Sequence, residues 1–422
     1  MVVRPARRAR LGSRAVGVLR FREFRLLYAG QLVSLLGDGI FAVALSFAVL
    51  DETGSEAGLG IVLAAGALPL VAFVLVGGVW ADRLSRRRVM LVADAARMAI
   101  QGLLAALVVF SHVPVWAFVV LYGLFGVAMA FFSPASTGLV PETLPASELQ
   151  RANGLVGMTR SVAAIVGAAI GGVLVATLGA GSAIAVDSVS FAVSALCLGL
   201  MRARSSTASK REPFRHELAV GWREVRSRRW VWMTILNVSL ALMLYVAPFD
   251  VVGPIVAKDS LGGATAWGLI SASFAAGMAA GGLLLIRVTL SRPMLVAALL
   301  FLFTSLSPIL MAVAAPVAVI CVAYMADGFG VGIYLTTWET ALQREIPERV
   351  LSRVSAWDWM GSLAGMPLGF ALTGPVIALI GQDATLAARA ASGVLFAVWM
   401  LVIPDIRRIG ERRTRVTAPT EA

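Results

Sequence analysis

The chain has 422 residues, of which 59% are hydrophobic and only 14% charged, and it carries a formal net charge of +12. Soluble domains hold about 25% charged residues, so this composition excludes a globule wetted on all sides and puts the chain in lipid. The positive balance raises nucleic acid as a partner, but the charges fall almost entirely between apolar segments, which removes that reading.

Residues 1–25 form an Arg-rich tail without the short apolar core and small-residue cleavage site of a secretory signal. A membrane-crossing helix needs about 20 mostly apolar residues. Twelve segments qualify in chain order: 26–50, 58–80, 89–110, 115–134, 153–178, 180–201, 230–253, 265–287, 293–312, 316–339, 357–380 and 386–403. They predict an all-α integral membrane protein with twelve transmembrane helices. Of the 36 Lys and Arg residues, 32 lie in the tails and in alternate connections on one side. Lys258, and Arg389 near the start of span 12, belong to the other side, while Arg97 and Arg160 lie within spans. This asymmetry predicts a multi-pass membrane protein with both termini cytoplasmic.

The connection 202–229 divides the chain into bundles at 26–201 and 230–403, with a cytoplasmic tail at 404–422. Within it Phe214, Leu218, Trp222 and Val225 share one helical face, and basic residues line much of the remainder. That is the pattern of a helix lying on the anionic inner leaflet of membrane lipids. The halves also read alike. Pro141-Glu142 answers Pro347-Glu348, Arg151 answers Arg353, and the Gly-rich stretches 167–172 and 365–369 follow. An internal repeat of two six-span halves is typical of transporters built around a central site.

An ionisable group at the bilayer centre costs about 2.5–3.5 kcal/mol on insertion scales, so each one needs a reason. Asp38 and Asp327 fall near the middle of spans 1 and 10. Each is either a proton-coupling or substrate carboxylate facing a wet cavity, or a clasp between helices. Asp94 and Arg97, three apart on one face of span 3, are expected to form an intramembrane ion pair. Asp187 is an outer relay for protons or a helix-capping group. Arg160 is placed to snorkel to the inner surface. Asp250 and Glu339 fall near span ends and are expected to face solvent. Tyr122, Asn237, Tyr245 and Tyr334 are cavity candidates, with plain packing as the alternative. No P-loop, HExxH or nucleophile–base arrangement is present, the only histidines are His112 and His216, and Cys197 and Cys321 lie far apart in apolar segments. The expectation is therefore no enzyme, no metal and no cofactor, with an ion gradient as the energy source for any transport.

The stretch GGVWADRLSRRR, residues 77–88, sets a carboxylate among four arginines between spans 2 and 3. Gly78, Asp82, Arg83, Arg87 and Arg88 match the signature Gly-x-x-x-Asp-Arg-x-Gly-x-Arg-Arg, with Ser85 in place of the second glycine. Together with QLVSLLGDGIFAVAL around Asp38, FFSPASTGLVPETLPASELQRANG after span 4, AVDSVSFAVSA around Asp187 and LQREIPERVLSRV after span 10, this covers nearly the whole chain. The chain resembles the major facilitator superfamily, and within it the branch of bacterial exporters that includes macrolide efflux proteins and the enterobactin exporter. The stretch Gly167 to Gly172 stands where proton antiporters of the family often carry Gly-Pro-x-x-Gly-Gly, here without the proline.

The resemblance implies two pseudo-symmetric six-helix bundles in a bacterial cell (inner) membrane, with a cavity lined by spans 1, 4, 7 and 10. The chain is expected to work as a monomer. It implies alternating access, with Asp82 latching onto the start of span 11 near Ala356, Trp357 and Asp358. It points to export of a small-molecule substrate (a drug, antibiotic, siderophore or other secondary metabolite) against protons. The alternatives are an importer of a small polar solute on the same scaffold and a non-transport membrane protein.

Overall fold

In a computed structural model, residues 16–202, 214–288, 290, 292–305 and 307–407 are described, with backbone alone for 16, 74–83, 214–218, 287, 304, 348, 349, 352, 406 and 407. Twelve helices among them are long and apolar enough to cross a membrane, and the described residues include no strand. Spans 1 to 6 are Arg22–Thr53, Glu56–Arg83, Arg86–Phe110, Val115–Thr143, Leu149–Leu178 and Ala180–Leu200. Span 7 is Arg229–Leu261 and span 8 Ala264–Arg287. Span 9 is Pro293–Thr304 with Ser307–Ala312, span 10 Val317–Glu345, span 11 Glu348–Leu363 with Gly365–Ile380, and span 12 Gln382–Val402. Several outrun the hydrophobic segments. Span 1 has 32 residues, about 48 Å at 1.5 Å per residue against a hydrocarbon core of about 30 Å. Phe110, Ile286, Phe303 and Leu379 are largely exposed, as side chains turned to lipid must be.

The repeat is visible in the helix ends. Spans 4 and 10 have 29 residues each and follow Pro114 and Pro316. Spans 6 and 12 have 21 residues each and follow Gly179 (φ 81, ψ 161) and Gly381 (φ 85, ψ 166). Such a positive φ suits glycine, which has no Cβ to clash. This register pairs Pro347, which precedes span 11, with Pro145, which precedes the short helix leading into span 5. Pro141 lies inside span 4, so its likeness to Pro347 in sequence is not the structural correspondence. Arg151 and Arg353 keep theirs.

One side of the molecule carries Arg86, Arg87, Arg88, Arg202, Arg223, Arg226, Arg228 and Arg229; it is called the basic side. The opposite, acidic side carries Asp51, Glu52, Glu56 and Asp259. On the acidic side the bundles are joined. Lys258 Nζ donates to Asp51 at 2.6 Å and Gln382 Nε2 to Glu56 at 2.7 Å. One hydrophobic cluster crosses both bundles there, from Ile40, Phe41 and Leu59 to Phe249, Trp267 and Phe370. Towards the basic side the cores separate. Phe24, Met90, Phe132 and Leu198 pack within the first bundle, and Val231, Ile333, Trp338 and Met400 within the second.

The expected amphipathic helix is Phe214–Ser227. It docks on the start of span 11. Gly221 lies against the Arg353 carbonyl and the Trp357 indole, Trp222 meets Trp357 at 4.9 Å between ring centroids, and Val225 is buried. The side chains of Phe214 and Leu218 lie outside the described residues.

Candidate functional site

In the first bundle, Asp94 and Arg97 pair with both side chains fully buried. Asp94 accepts a hydrogen bond from Ser194 Oγ of span 6 at 2.7 Å. The Arg97 guanidinium lies 3.8 Å from the ring centroid of Phe132 and 4.2 Å from that of Phe191. A buried ion pair persists when each charge has a partner, and the aromatic faces add cation–π attraction. Asp187 is also fully buried; Oδ1 accepts from Ser190 Oγ at 3.1 Å, while Oδ2 has no hydrogen-bond partner among the described residues. It is the eighth residue of span 6, so it is not a helix cap. Gly37 of span 1 approaches Asp187 and Ser190 too closely to admit a Cβ. That contact sets the next residue, Asp38, in the middle of the molecule. Asp38 is half-buried, no hydrogen bond or ion pair holds its carboxylate among the described residues, and it lies within electrostatic reach of Arg97, Asp94 and Asp187.

The second bundle holds a counterpart that the sequence did not reveal. Arg389 is the eighth residue of span 12 and thus corresponds to Asp187. It is not at the membrane surface but 2% exposed. Its Nε donates to the Tyr245 carbonyl at 2.7 Å and its Nη1 to the Tyr324 hydroxyl at 2.8 Å. Its guanidinium faces the rings of Tyr245 at 4.1 Å and Phe249 at 5.0 Å. Tyr245 in turn donates its hydroxyl to Asp327 Oδ2 at 2.7 Å, and Asp327 is fully buried. Asp327 is therefore clasped between spans 7 and 10. Tyr324 corresponds to Tyr122 by the same register, each being the eighth residue of its span.

Tyr122 is half-buried, packs against Phe41 and Phe125, and lies within electrostatic reach of Asp38, Asp187 and Asp250. Asp250 of the second bundle thus lies within electrostatic reach of span 4 of the first, as well as of Arg389 in its own bundle. The sequence placed it at a span end, but span 7 continues as helix to Leu261 through the polar Lys258-Asp259. Glu339 is exposed. Asn237 and Tyr334 are 4% and 7% exposed, inside the second bundle, while Tyr245 is half-buried. Tyr334 packs against Phe301 there. The rings that face Arg389 are Tyr245, Phe249 and Tyr324 on spans 7 and 10, and no local signal in the sequence joins them to it.

Of the gate signature, the side chains of residues 74–83, hence the setting of Gly78, Asp82 and Arg83, lie outside the described residues. Ser85 stands at φ −64, ψ 117, so that turn position makes no demand for glycine. Arg87 donates to the carbonyls of Leu198 and Gly199 at 2.5 and 2.6 Å. These are among the last carbonyls of span 6, which carry the negative end of its dipole; Leu198 O accepts in addition from the Met201 N–H at 3.3 Å. Arg86 reaches Gly138 O and Glu142 at the end of span 4, and Arg88 is exposed. Arg87→Ala is expected to destabilise the bundle by about 1.5–3 kcal/mol, the worth of hydrogen bonds to a charged group; thermal unfolding of the purified protein measures it. Span 11 begins at Glu348, so Asp358 lies well inside the helix and not at its N-terminus. Its carboxylate accepts from Trp338 Nε1 at 3.1 Å and Ser362 Oγ at 3.5 Å.

Two repeated six-helix bundles, each with a buried arginine and carboxylates turned inward, are the build of a membrane transporter. The sequence profile of the Major Facilitator Superfamily matches residues 27–370, and the chain belongs to that family. Macrolide efflux protein A of Streptococcus pyogenes is 25% identical over 396 residues, covering 92% of this chain and 97% of the relative. The multidrug efflux pump Tap of Mycolicibacterium fortuitum is 29% identical over 407 residues, covering 91% and 96%. Among solved structures, the nucleoside transporter NupG superposes with a TM-score of 0.72 at 12% identity, covering 90% of this chain and 98% of NupG. A bacterial homolog of the lysosomal transporter Spinster superposes at 0.63 and 16% identity, covering 95% and 99%. At these identities the structures speak for the fold alone.

Proposed function

We propose that this chain exports small amphipathic molecules from the cytoplasm by alternating access, coupled to proton entry. The observation that carries the coupling is Asp38. It is a carboxylate midway along span 1, half-buried, without a hydrogen bond or ion pair among the described residues, beside a second carboxylate, Asp187. Asp38 is the group at which proton and substrate compete in this reading, with Arg97, Asp94 and Asp187 within electrostatic reach of it. Asp187, with one buried oxygen unpartnered among the described residues, is the relay towards the acidic side. Asp327, clasped by Tyr245, is the lesser candidate. The efflux proteins among the relatives support the outward direction and an antibiotic-like substrate.

In this reading the basic side is cytoplasmic, and closure of the acidic side makes the conformation inward-facing. Arg88 and the helix at 214–227 rest on anionic lipid, Asp82 latches the basic side when the other state forms, and the chain works as a monomer without a cofactor. The test is proton-driven accumulation of a macrolide and of ethidium inside everted membrane vesicles, whose outer face is the cytoplasmic one. Asp38→Asn is expected to abolish gradient-driven movement while the protein still inserts. Undiminished accumulation in that variant removes Asp38 from the coupling.

A further inference from the structure

Span 7 is not a continuous α-helix. Leu242–Val246 forms a π turn, which accommodates one more residue than an α turn and often marks functional sites in helices. Its displaced carbonyls are claimed from span 12. Arg389 Nε donates to Tyr245 O at 2.7 Å, and Ser392 Oγ donates to Leu244 O at 3.1 Å. The same guanidinium is tied to span 10 through Tyr324 and lies over the Tyr245 ring. The corresponding place in the first bundle offers a contrast. There Asp187 abuts Gly37, and span 1 runs as uninterrupted α-helix through Arg22–Thr53. The π turn accompanies the arginine.

We propose that Arg389 is a positioning residue for transport: by holding the π turn it sets the rotation of the acidic-side half of span 7, and so turns Asp250 into the space facing Tyr122. The helical arithmetic makes this specific. An α-helix turns by about 100° per residue. If the π turn relaxes to α geometry, its extra residue is absorbed and everything beyond it rotates by about that angle. The face that presents residue 250 then presents residue 249. At present Phe249 and Val251 are buried and Asp250 is half-buried. The relaxed register would bury the carboxylate and expose the phenylalanine's position.

The experiment reads that register directly. Cys197 and Cys321 are replaced by alanine in the full chain, single cysteines are placed at 249, 250 and 251, and labelling by a charged methanethiosulfonate is timed in detergent micelles. With Arg389 present, position 250 is expected to react at least tenfold faster than 249 and 251. In Arg389→Lys, which keeps a buried cation but cannot span both the Tyr245 carbonyl and the Tyr324 hydroxyl, the 250-to-249 rate ratio is expected to fall about tenfold. In Arg389→Gln, position 249 becomes the fast one. Because the ratio is read on labelled chains, poor accumulation of a variant scales all positions together and leaves it intact. A ratio within twofold of the parent in both variants overturns the proposal. So does an equal rise at all three positions, which is what mere loosening of the bundle would give.

Discussion

Gly268→Leu is expected to reduce net transport at least tenfold while leaving each bundle folded. Gly268 of span 8 crosses span 5 of the other bundle. A Cβ added there would lie 2.5 Å from Ala168 O and 2.9 Å from Gly172 Cα, and one added at Gly172 would lie 2.5 Å from Ala264 O. These neighbours are backbone atoms and cannot swing away. Overpacking of this kind costs about 1–3 kcal/mol, occasionally more, and about 1.4 kcal/mol is tenfold in an equilibrium. The strain falls wholly on the state in which the acidic side is closed, so the population moves to the opposite state and the cycle stalls. Distances between spin labels at the basic-side ends of the two bundles are expected to shorten. Gly282→Ala, on the same span but with only an ordinary 3.4 Å contact to Thr336, is the neutral control. Wild-type transport in Gly268→Leu would show that this crossing does not have to close tightly.

The second large effect is expected at Arg97→Met. The substitution roughly preserves bulk but leaves the fully buried Asp94 facing its former partner's vacancy, with Ser194 as its remaining donor. Removing one member of a buried pair costs about 3–5 kcal/mol, and the contacts with Phe132 and Phe191 are lost as well. Accumulation in the membrane and the thermal midpoint should both fall. Asp94→Asn combined with Arg97→Met should recover most of the loss, because the stranded charge is gone. A single variant as stable as the parent would mean that Asp94 is neutral in the folded protein and that the pair carries little stability.

Much of this architecture was legible in the sequence because lipid imposes a simple rule: a backbone crossing it must be helical and apolar over about 20 residues. The errors in span ends have the same origin. Span 4 was expected to stop at 134 but continues to Thr143, through Pro134 and Pro141. Hydropathy marks where lipid ends, whereas a helix continues into water while its own hydrogen bonds allow. Asp250 was misjudged for that reason, since span 7 outlasts its apolar stretch. The role of Arg389 is not legible, because an arginine near the start of a span can also reach the surface and nothing local tells which way it faces.

The amino-acid sequence alone determined the number of spans, the six-plus-six division, the charge asymmetry between the two sides, and the pairing of Asp94 with Arg97, because each rests on composition or on neighbours three or four residues apart. Tertiary structure alone decided that Arg389 is buried where its repeat counterpart Asp187 is, that it grips a π turn in span 7, and that Asp250 lies within electrostatic reach of Tyr122 across the bundles. The grip joins residues 144 and 65 positions apart in sequence, Arg389 with Tyr245 and Arg389 with Tyr324, selected by which buried charges and carbonyls can satisfy one another where no water is available to do it.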